Sequence, residues 1–177
     1  MNLSLVGYMG SGKSSIGKFL EVILNNNFYD LDDIIIKKKK KNINKIFNFF
    51  GENYFRKEEN KILKNFIKNN SNYILSVGGG TPCFFNNMEI LNKKTITFYL
   101  KATPFSLFKR LVFEKKKRPI LSKLNDKELY FFIKKHLKKR EKFYNKSKIF
   151  INVDKNNIYN ISNEIKKKYL KIIKKNE

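Results

Sequence analysis

Short apolar runs alternate with longer amphipathic segments along most of the chain. The apolar runs predict strands at residues 3–6, 73–77, 95–100 and 148–153, with a shorter candidate at residues 28–29. Apolar residues at spacings of three and four predict helices at residues 13–24, 60–68, 104–113, 126–144 and 158–173. Thr103 and Pro104 favour a helix start, because threonine caps a helix end and proline suits the first turn. This alternation predicts an α/β fold with a parallel sheet covered on both faces, whose ligands bind at the carboxyl ends of the strands.

Size and composition point to one domain that spans residues 1–177. The 177 residues are 41% hydrophobic and 15% aromatic, which is enough apolar material for a core. No apolar stretch approaches the roughly 18 residues of a membrane helix, and no linker or internal repeat divides the chain. Cys83 is the only cysteine, so an internal disulfide is excluded, and we expect an inert thiol in a cytoplasmic protein.

The formal charge of +24 raises nucleic acid or an acidic membrane as a partner, because a basic face concentrates polyanions. The lysines, however, are scattered through every region and form no stripe with spaced aromatics, so we expect neither partner. Arginine is rare here, and its planar fork grips carboxylates and phosphates in a way that an ammonium does not. The arginine positions are therefore candidates for anion binding: Arg56, Arg110, Arg118 and Arg140.

The segment Gly-Tyr-Met-Gly-Ser-Gly-Lys-Ser at residues 7–14 matches the P-loop pattern G-x-x-x-x-G-K-[ST], between a predicted strand and a predicted helix. In such a loop the backbone N–H groups face a phosphate, Lys13 reaches the terminal phosphates, and Ser14 ligates Mg²⁺. The predicted nucleotide-binding residues here are Gly10, Ser11, Gly12, Lys13, Ser14 and Ser15. An ordinary glycine-rich turn is the alternative, and the complete pattern in its strand and helix context argues against it.

Three of the aspartates stand within residues 30–33, directly after the short strand candidate. If the strand ends there, Asp30 and Asp32 point to the same side, where one holds Mg²⁺ through water and the other accepts a hydroxyl proton. The alternative is a helix start that is capped by Asp32 or Asp33. The residues alone leave these two interpretations evenly matched.

Two further segments contain candidate binding residues. Arg56 and Glu59, within residues 51–59, lie one helical turn apart and are spaced to pair, although a plain surface salt bridge is the alternative. The triple glycine at residues 78–80 follows a predicted central strand and permits a ligand to approach the backbone closely, with a flexible turn as the alternative.

Taken together, these segments closely resemble shikimate kinase, a nucleoside-monophosphate-kinase-like family of P-loop proteins. The family pattern is a P-loop, D-x-D, G-E-x-x-F-R-x-x-E, a triple glycine, R-P in a mobile lid, and R-x-x-x-Y. The matching positions are residues 7–14, Asp30 with Asp32, residues 51–59, residues 78–80, Arg118 with Pro119, and Arg140 with Tyr144. Each short motif is weak alone, but their joint occurrence in this order over nearly the whole chain is specific.

The resemblance implies a three-layer α/β/α P-loop kinase fold with a five-stranded parallel sheet. It implies a helical substrate-binding insertion near residues 31–60 and a mobile lid near residues 110–124. The implied reaction is the transfer of the γ-phosphate of ATP to shikimate, with Mg²⁺, in aromatic amino acid biosynthesis. We also expect a monomer whose partner is the small-molecule substrate.

The resemblance further implies a role for each matched residue. The implied catalytic residues are Lys13, Asp32 as the base, and Arg118, which closes with the lid over the transferring phosphoryl group. The implied substrate-binding residues are Asp32, Arg56, Gly78, Gly79, Gly80 and Arg140, with both arginines on the shikimate carboxylate. The implied Mg²⁺ residues are Ser14 and Asp30.

Two residues and two rival functions qualify this interpretation. Arg110 is implied as an adenine contact, but it lies one position further from Arg118 than expected, and a helix-surface arginine is the alternative. His136 shares a helix face with Arg140, yet we expect a solvent-facing side chain without a catalytic role. The rivals are a gluconate or nucleotide kinase on the same fold and, from another class, a nucleic-acid-dependent ATPase that uses the positive charge.

Overall fold

The computed structural model describes residues 1–115, 119–154 and 157–176, along which strands and helices alternate. The strands are β1 (Leu3–Val6), β2 (Asn27–Asp30), β3 (Tyr73–Ser76), β4 (Ile96–Lys101) and β5 (Ile149–Asn152). The helices are α1 (Lys13–Leu24), α2 (Leu31–Lys39), α3 (Ile43–Asn69), α4 (Asn87–Lys94), α5 (Pro104–Glu114), α6 (Pro119–Ser122), α7 (Asp126–Tyr144) and α8 (Ile158–Asn176). A short 3-10 helix covers Thr81–Cys83.

The five strands form one parallel sheet in the order β2-β3-β1-β4-β5, which confirms the predicted α/β fold. Every residue of β1 and β3 is buried, as expected for parallel strands that are covered on both faces. On the flanks of the sheet, α1 packs against α8 and α5 packs against α7. Because the strands are parallel, the segments that follow β1, β2 and β3 emerge at the same edge of the sheet. These segments are the P-loop, the aspartate cluster and the triple glycine.

The predicted bounds coincide with the observed ones for β1, α1 and α7, and most other ends differ by only a few residues. The predicted helix at residues 60–68 is the last part of the much longer α3. Gly51 interrupts α3 with a φ of 75°, so no single helical period runs through this segment. The hydrophobic pattern did not predict α2 or α4, since both are too short to show a clear helical period.

The predicted helix start at Thr103 is confirmed. The Thr103 hydroxyl accepts a hydrogen bond from the backbone N–H of Ser106 at 3.2 Å, and Pro104 occupies the first turn of α5. α7 begins with a capping box, in which Asn125 and Glu128 each accept a hydrogen bond from the other's backbone. Both helices therefore start where local side chains satisfy their first N–H groups.

Within the described parts of the chain, the structure has no helix that is both long and apolar enough to cross a membrane.

The contact between α1 and β2 depends on Gly17. A Cβ atom at Gly17 would lie 2.1 Å from a ring carbon of Phe28, far inside van der Waals contact. We expect Gly17→Ala to lower the free energy of unfolding by about 1–3 kcal/mol, although alanine favours a helix by about 1 kcal/mol. Urea denaturation measures this change, and Lys18→Ala on the exposed side of α1 is the control, with an expected change within about 0.5 kcal/mol. A Gly17→Ala protein as stable as the parent would contradict this account of the packing.

Candidate active site

The P-loop connects β1 to α1 and leaves the helix start open to an anion. Gly12 is the N-cap of α1 with a φ of 91°, a left-handed conformation that glycine adopts readily, and no side chain of the described residues caps the first N–H groups. Those groups and the positive end of the helix dipole therefore face the cleft. Lys13 Nζ donates to the carbonyl oxygens of Gly7 and Tyr8, both at 3.0 Å. The lysine ammonium is thus held beside the loop that it follows.

A cleft of about 950 Å³ opens at this edge of the sheet. Its walls include the P-loop residues Gly10, Ser11, Gly12, Lys13, Ser14 and Ser15, together with Asp30, Asp32, Gly78, Gly79 and Arg110. Ile158 and Tyr159, at the start of α8, line its far side. The structure therefore brings the described residues predicted for the nucleotide and the metal into one cavity with Asp32, Gly78 and Gly79, whereas Arg56, Gly80 and Arg140 do not line it.

Asp30 joins the P-loop helix to the aspartate cluster. Its Oδ1 accepts from the backbone N–H of Asp32 at 3.0 Å and so caps α2, while its Oδ2 accepts from the Ser14 hydroxyl at 2.8 Å. The helix-start alternative is correct in part, because a cap is present but is made by Asp30 and not by Asp32 or Asp33. The metal and proton-acceptor roles of Asp30 and Asp32 stay predictions.

The Ser14 and Asp30 oxygens fit a magnesium ion. Mg²⁺ prefers hard oxygen ligands and usually keeps several waters while it contacts one or two protein groups and substrate phosphates. The two oxygens lie next to the open start of α1, where phosphates are expected to bind. Among the described residues, no group of three or more His, Cys, Asp or Glu side chains is placed to hold a metal ion.

Asp32 is half-buried in the cleft and carries an unusual proton affinity. Burial, and after it the negative charges of Asp30 and Glu59, raise its pKa to about 6 against the opposing positive charges of Lys13 and Arg56. A carboxylate with such a pKa is ionised at neutral pH but binds a proton more readily than an ordinary aspartate. It can therefore accept a proton from a substrate hydroxyl.

Arg56 lies in a buried ion pair and not in a surface salt bridge. Its side chain donates from Nη1 to Glu59 Oε2 at 2.8 Å, and Glu59 is only 1% exposed. It also donates from Nε and Nη2 to Glu52 Oε1 at 3.2 and 3.1 Å. The ring of Phe84 covers the guanidinium, with its centroid 4.4 Å away. The surface alternative for this pair is therefore wrong, and Arg56 is fixed in a single pose.

Arg140 has a different environment. Its guanidinium lies 5.8 Å from the centre of the Tyr8 ring and shares a side-chain hydrogen bond with Tyr144. The Tyr144 hydroxyl donates to the carbonyl of Gly79 at 2.5 Å, which ties α7 to the triple glycine. In the part of the chain that the structure describes, no carboxylate forms an ion pair with Arg140. Arg140 therefore presents a positive charge that no carboxylate of the described residues neutralises.

The triple glycine is where the three charged side chains meet. A Cβ atom at Gly78 would lie 3.1 Å from Asp32 Oδ1, and one at Gly79 would lie 3.4 Å from Arg140 Nη1. A Cβ atom at Gly80 would lie only 2.3 Å from Arg56 Nη2. The three glycines are half-buried or buried. Their close neighbours argue against a flexible turn. Contact between these glycines and a substrate stays a prediction.

Arg110 lies between the P-loop and β5 and is not a free surface side chain. It donates from Nη1 to the carbonyl of Gly10 at 3.1 Å and from Nη2 to the carbonyl of Val153 at 2.6 Å. Its guanidinium thus forms part of the cleft wall, where an adenine contact stays a prediction. The predicted lid arginine, Arg118, lies outside the described residues.

Two residues beside the site, His136 and Thr81, have structural roles that were not assigned from the sequence. His136 was expected to face solvent, which is wrong, since it is half-buried and its Nδ1 lies 2.9 Å from the Tyr8 hydroxyl. Glu59 also accepts from the Thr81 hydroxyl at 2.7 Å, which joins α3 to the 3-10 helix. The four-residue spacing from His136 to Arg140 was the available signal, but the partner of His136 is distant in sequence. The Cys83 thiol is half-buried, and burial raises its pKa, as expected for an inert cysteine.

Comparisons with known proteins agree on one family. A family model described as shikimate kinase matches residues 9–171. A shikimate kinase of Azobacteroides pseudotrichonymphae is 45% identical over 151 residues, which cover 85% of this chain and 89% of that protein. The crystal structure of shikimate kinase from Bacteroides thetaiotaomicron has a TM-score of 0.89 at 36% identity and covers 94% of this chain and 97% of its own. Shikimate kinase from Acinetobacter baumannii, in complex with shikimate, has a TM-score of 0.86 at 28% identity and covers 99% of this chain and 94% of its own.

The electrostatic balance around Asp32 can be tested by neutralising Glu59. Glu59→Gln keeps the shape of the side chain but removes a negative charge that raises the pKa of Asp32. We expect the pKa of Asp32 to fall from about 6 toward the ordinary aspartate range. Carbon-detected NMR titration of the aspartate carboxyl groups measures this, with Glu58→Gln as the control, because Glu58 pairs with Lys39 instead. An unchanged or higher pKa in the Glu59→Gln protein would contradict the assignment.

Proposed function

Because this chain belongs to the shikimate kinase family, we propose that it transfers the γ-phosphate of ATP to shikimate and forms shikimate 3-phosphate. The reaction uses Mg²⁺ and is a step of aromatic amino acid biosynthesis. The observation that carries the proposal is the convergence of Asp32, Arg56 and Arg140 on the triple glycine, next to the P-loop. A phosphate-binding loop beside a carboxylate and two arginines is what a kinase for a small hydroxylated acid requires.

We propose that Arg140 and Arg56 bind the carboxylate of the substrate. Shikimate carries one carboxylate and three ring hydroxyls, so its site needs a cationic fork and an acceptor for hydroxyl protons. The charge of Arg56 is already balanced by Glu52 and Glu59, which supports a role in shaping the pocket. Arg140 has no such partner among the described residues, which supports it as the main source of attraction for an anion.

We propose that Asp32 contacts the substrate hydroxyl that reacts with the phosphate. Its pKa of about 6 leaves it ionised at neutral pH, so that it can orient the hydroxyl and accept its proton as the oxygen attacks the phosphorus. Gly78 brings the backbone close to the same carboxylate, and Gly79 and Gly80 are proposed to contact the substrate through their backbone atoms.

The P-loop residues and Lys13 are proposed to hold the phosphates, with N–H groups of the helix start facing the anionic oxygens. Mg²⁺, when bound, neutralises charge on the phosphate oxygens. Ser14 and Asp30 supply the oxygens that would hold it. Arg110 is proposed to contact adenine from the cleft wall. The substrate-binding insertion at residues 31–60, the lid at residues 110–124 and the role of Arg118 are proposals that rest on the resemblance.

We further propose that the protein acts in the cytoplasm as a monomer. The P-loop, Asp32, Arg56 and Arg140 all come from the same chain, so the site needs no residue from a second copy. Light scattering coupled to size-exclusion chromatography tests the oligomeric state. A stable dimer at assay concentrations would reject that part of the proposal.

A coupled assay of ADP release tests the proposed reaction. With ATP and Mg²⁺, we expect turnover that depends on added shikimate and is absent with gluconate, with nucleoside monophosphates, and without an acceptor. Mass spectrometry of the product identifies the phosphorylated acid. Activity only with another acceptor, or ATP hydrolysis stimulated by RNA or DNA, would reject the proposal.

The proposed base predicts both a variant effect and a pH profile. Asp32→Asn is expected to lower kcat by about 10²- to 10⁴-fold with little change in the KM for ATP. In the parent enzyme, kcat/KM is expected to fall as the pH drops below about 6, because protonated Asp32 cannot accept the hydroxyl proton. Asp33→Asn on the exposed side of α2 is the control. Parent-like turnover of Asp32→Asn, or a flat profile down to pH 5, would remove Asp32 from this role.

The proposed binding of the shikimate carboxylate by Arg140 predicts that a substitution that keeps the positive charge still weakens shikimate binding. Arg140→Lys keeps the charge but removes the planar fork, so we expect the KM for shikimate to rise about 10- to 100-fold while the KM for ATP changes little. The reciprocal exchange Lys135→Arg on the exposed face of α7 is the control. An unchanged KM for shikimate in Arg140→Lys would contradict the assignment.

A further inference from the structure

Tyr8 is a fully buried P-loop residue whose backbone and side chain serve different parts of the site. It is 1% exposed, although the P-loop pattern leaves its position open to any residue. Its carbonyl oxygen accepts from Lys13 Nζ at 3.0 Å and from the backbone N–H of Ser11 at 3.2 Å. The backbone of Tyr8 is therefore part of the phosphate-binding turn.

The side chain of Tyr8 leaves this turn and reaches α7. Its ring lies 5.8 Å from the guanidinium of Arg140, and its hydroxyl is hydrogen-bonded to Nδ1 of His136 at 2.9 Å. The two aromatic rings meet edge to face, with centroids 5.6 Å apart and an interplanar angle of 87°. Phe132, one turn earlier on α7, also packs against His136, with ring centroids 5.0 Å apart.

We propose that Tyr8 and His136 are positioning residues that hold the Arg140 guanidinium in a fixed place relative to Lys13. The inference rests on the proposed function, in which Arg140 binds the acid and Lys13 binds the phosphate. Phosphoryl transfer requires the two substrates to be aligned closely, and small displacements reduce the rate strongly. Tyr8 contacts both Lys13, which is proposed to bind the phosphate, and Arg140, which is proposed to bind the acid. It therefore links the two binding groups directly.

The chemistry of His136 suits this role. Burial, together with the positive charges of Arg140 and Lys139, lowers its pKa to about 4. At neutral pH the imidazole is therefore uncharged and adds no positive charge beside Arg140. In the neutral tautomer that is protonated at Nε2, Nδ1 accepts the hydrogen bond from the Tyr8 hydroxyl.

Two single variants and one conservative variant test the pair. Tyr8→Phe keeps the ring over Arg140 and removes only the hydroxyl, and His136→Leu removes the acceptor. We expect each to raise the KM and the dissociation constant for shikimate about three- to tenfold, while both constants for ATP change much less. His136→Asn, which can place an acceptor near the position of Nδ1, is expected to restore most of the affinity. The double variant is expected to be no weaker than either single variant, because both remove the same contact.

Tyr169→Phe is the matched control, because the Tyr169 hydroxyl donates to the carbonyl of Met1, away from the cleft. It is expected to change neither substrate constant. Thermal unfolding of each variant shows whether the fold is kept, and a Tyr8→Phe protein that does not fold leaves the decision to the two His136 variants. Equal losses for ATP and shikimate, no loss for shikimate, or no recovery in His136→Asn would overturn the proposal. Turnover of shikimate by the parent enzyme is measured first, since its absence would overturn the proposed function and the positioning pair together.

Discussion

The close approach of the triple glycine to three charged side chains is the constraint on which the site depends. At Gly80 a Cβ atom would lie 2.3 Å from the Arg56 guanidinium, so any other residue would displace that group. At Gly78 and Gly79 the corresponding neighbours are Asp32 and Arg140. Three adjacent positions without side chains thus allow three charges from distant parts of the chain to lie close to one short segment.

Bringing charged side chains together in a partly buried region is unfavourable unless opposite charges pair with them, because desolvation opposes burial of an ion. Arg56 is balanced by Glu59, which is almost completely buried, and by Glu52 at the edge. The same negative charge of Glu59 contributes to the raised pKa of Asp32. Arg140 lies beside neutral tyrosines instead. The neutralised arginine supports the architecture, and the arginine without a carboxylate partner among the described residues remains available for an anion.

The sequence predicted the strands and the P-loop well, because both depend on local patterns. It predicted less about α2, which is short, and about the first part of α3, which Gly51 separates from the rest of the helix. It left the role of Asp30 open, since the cap and the contact with Ser14 require knowledge of where α1 lies. It missed the burial of His136, because the partner, Tyr8, is distant along the chain.

By itself, then, the sequence determined the alternation of strands and helices, the phosphate-binding turn and the positions of the scarce arginines and aspartates. These depend on side-chain chemistry and on spacings within one turn or one strand. Only the tertiary structure decided which charged side chains are paired, which are buried, and which have no partner of opposite charge among the described residues. The sequence alone does not distinguish Arg56 from Arg140, because the pairing and desolvation of each arginine depend on neighbours that the folded parallel sheet brings to one edge.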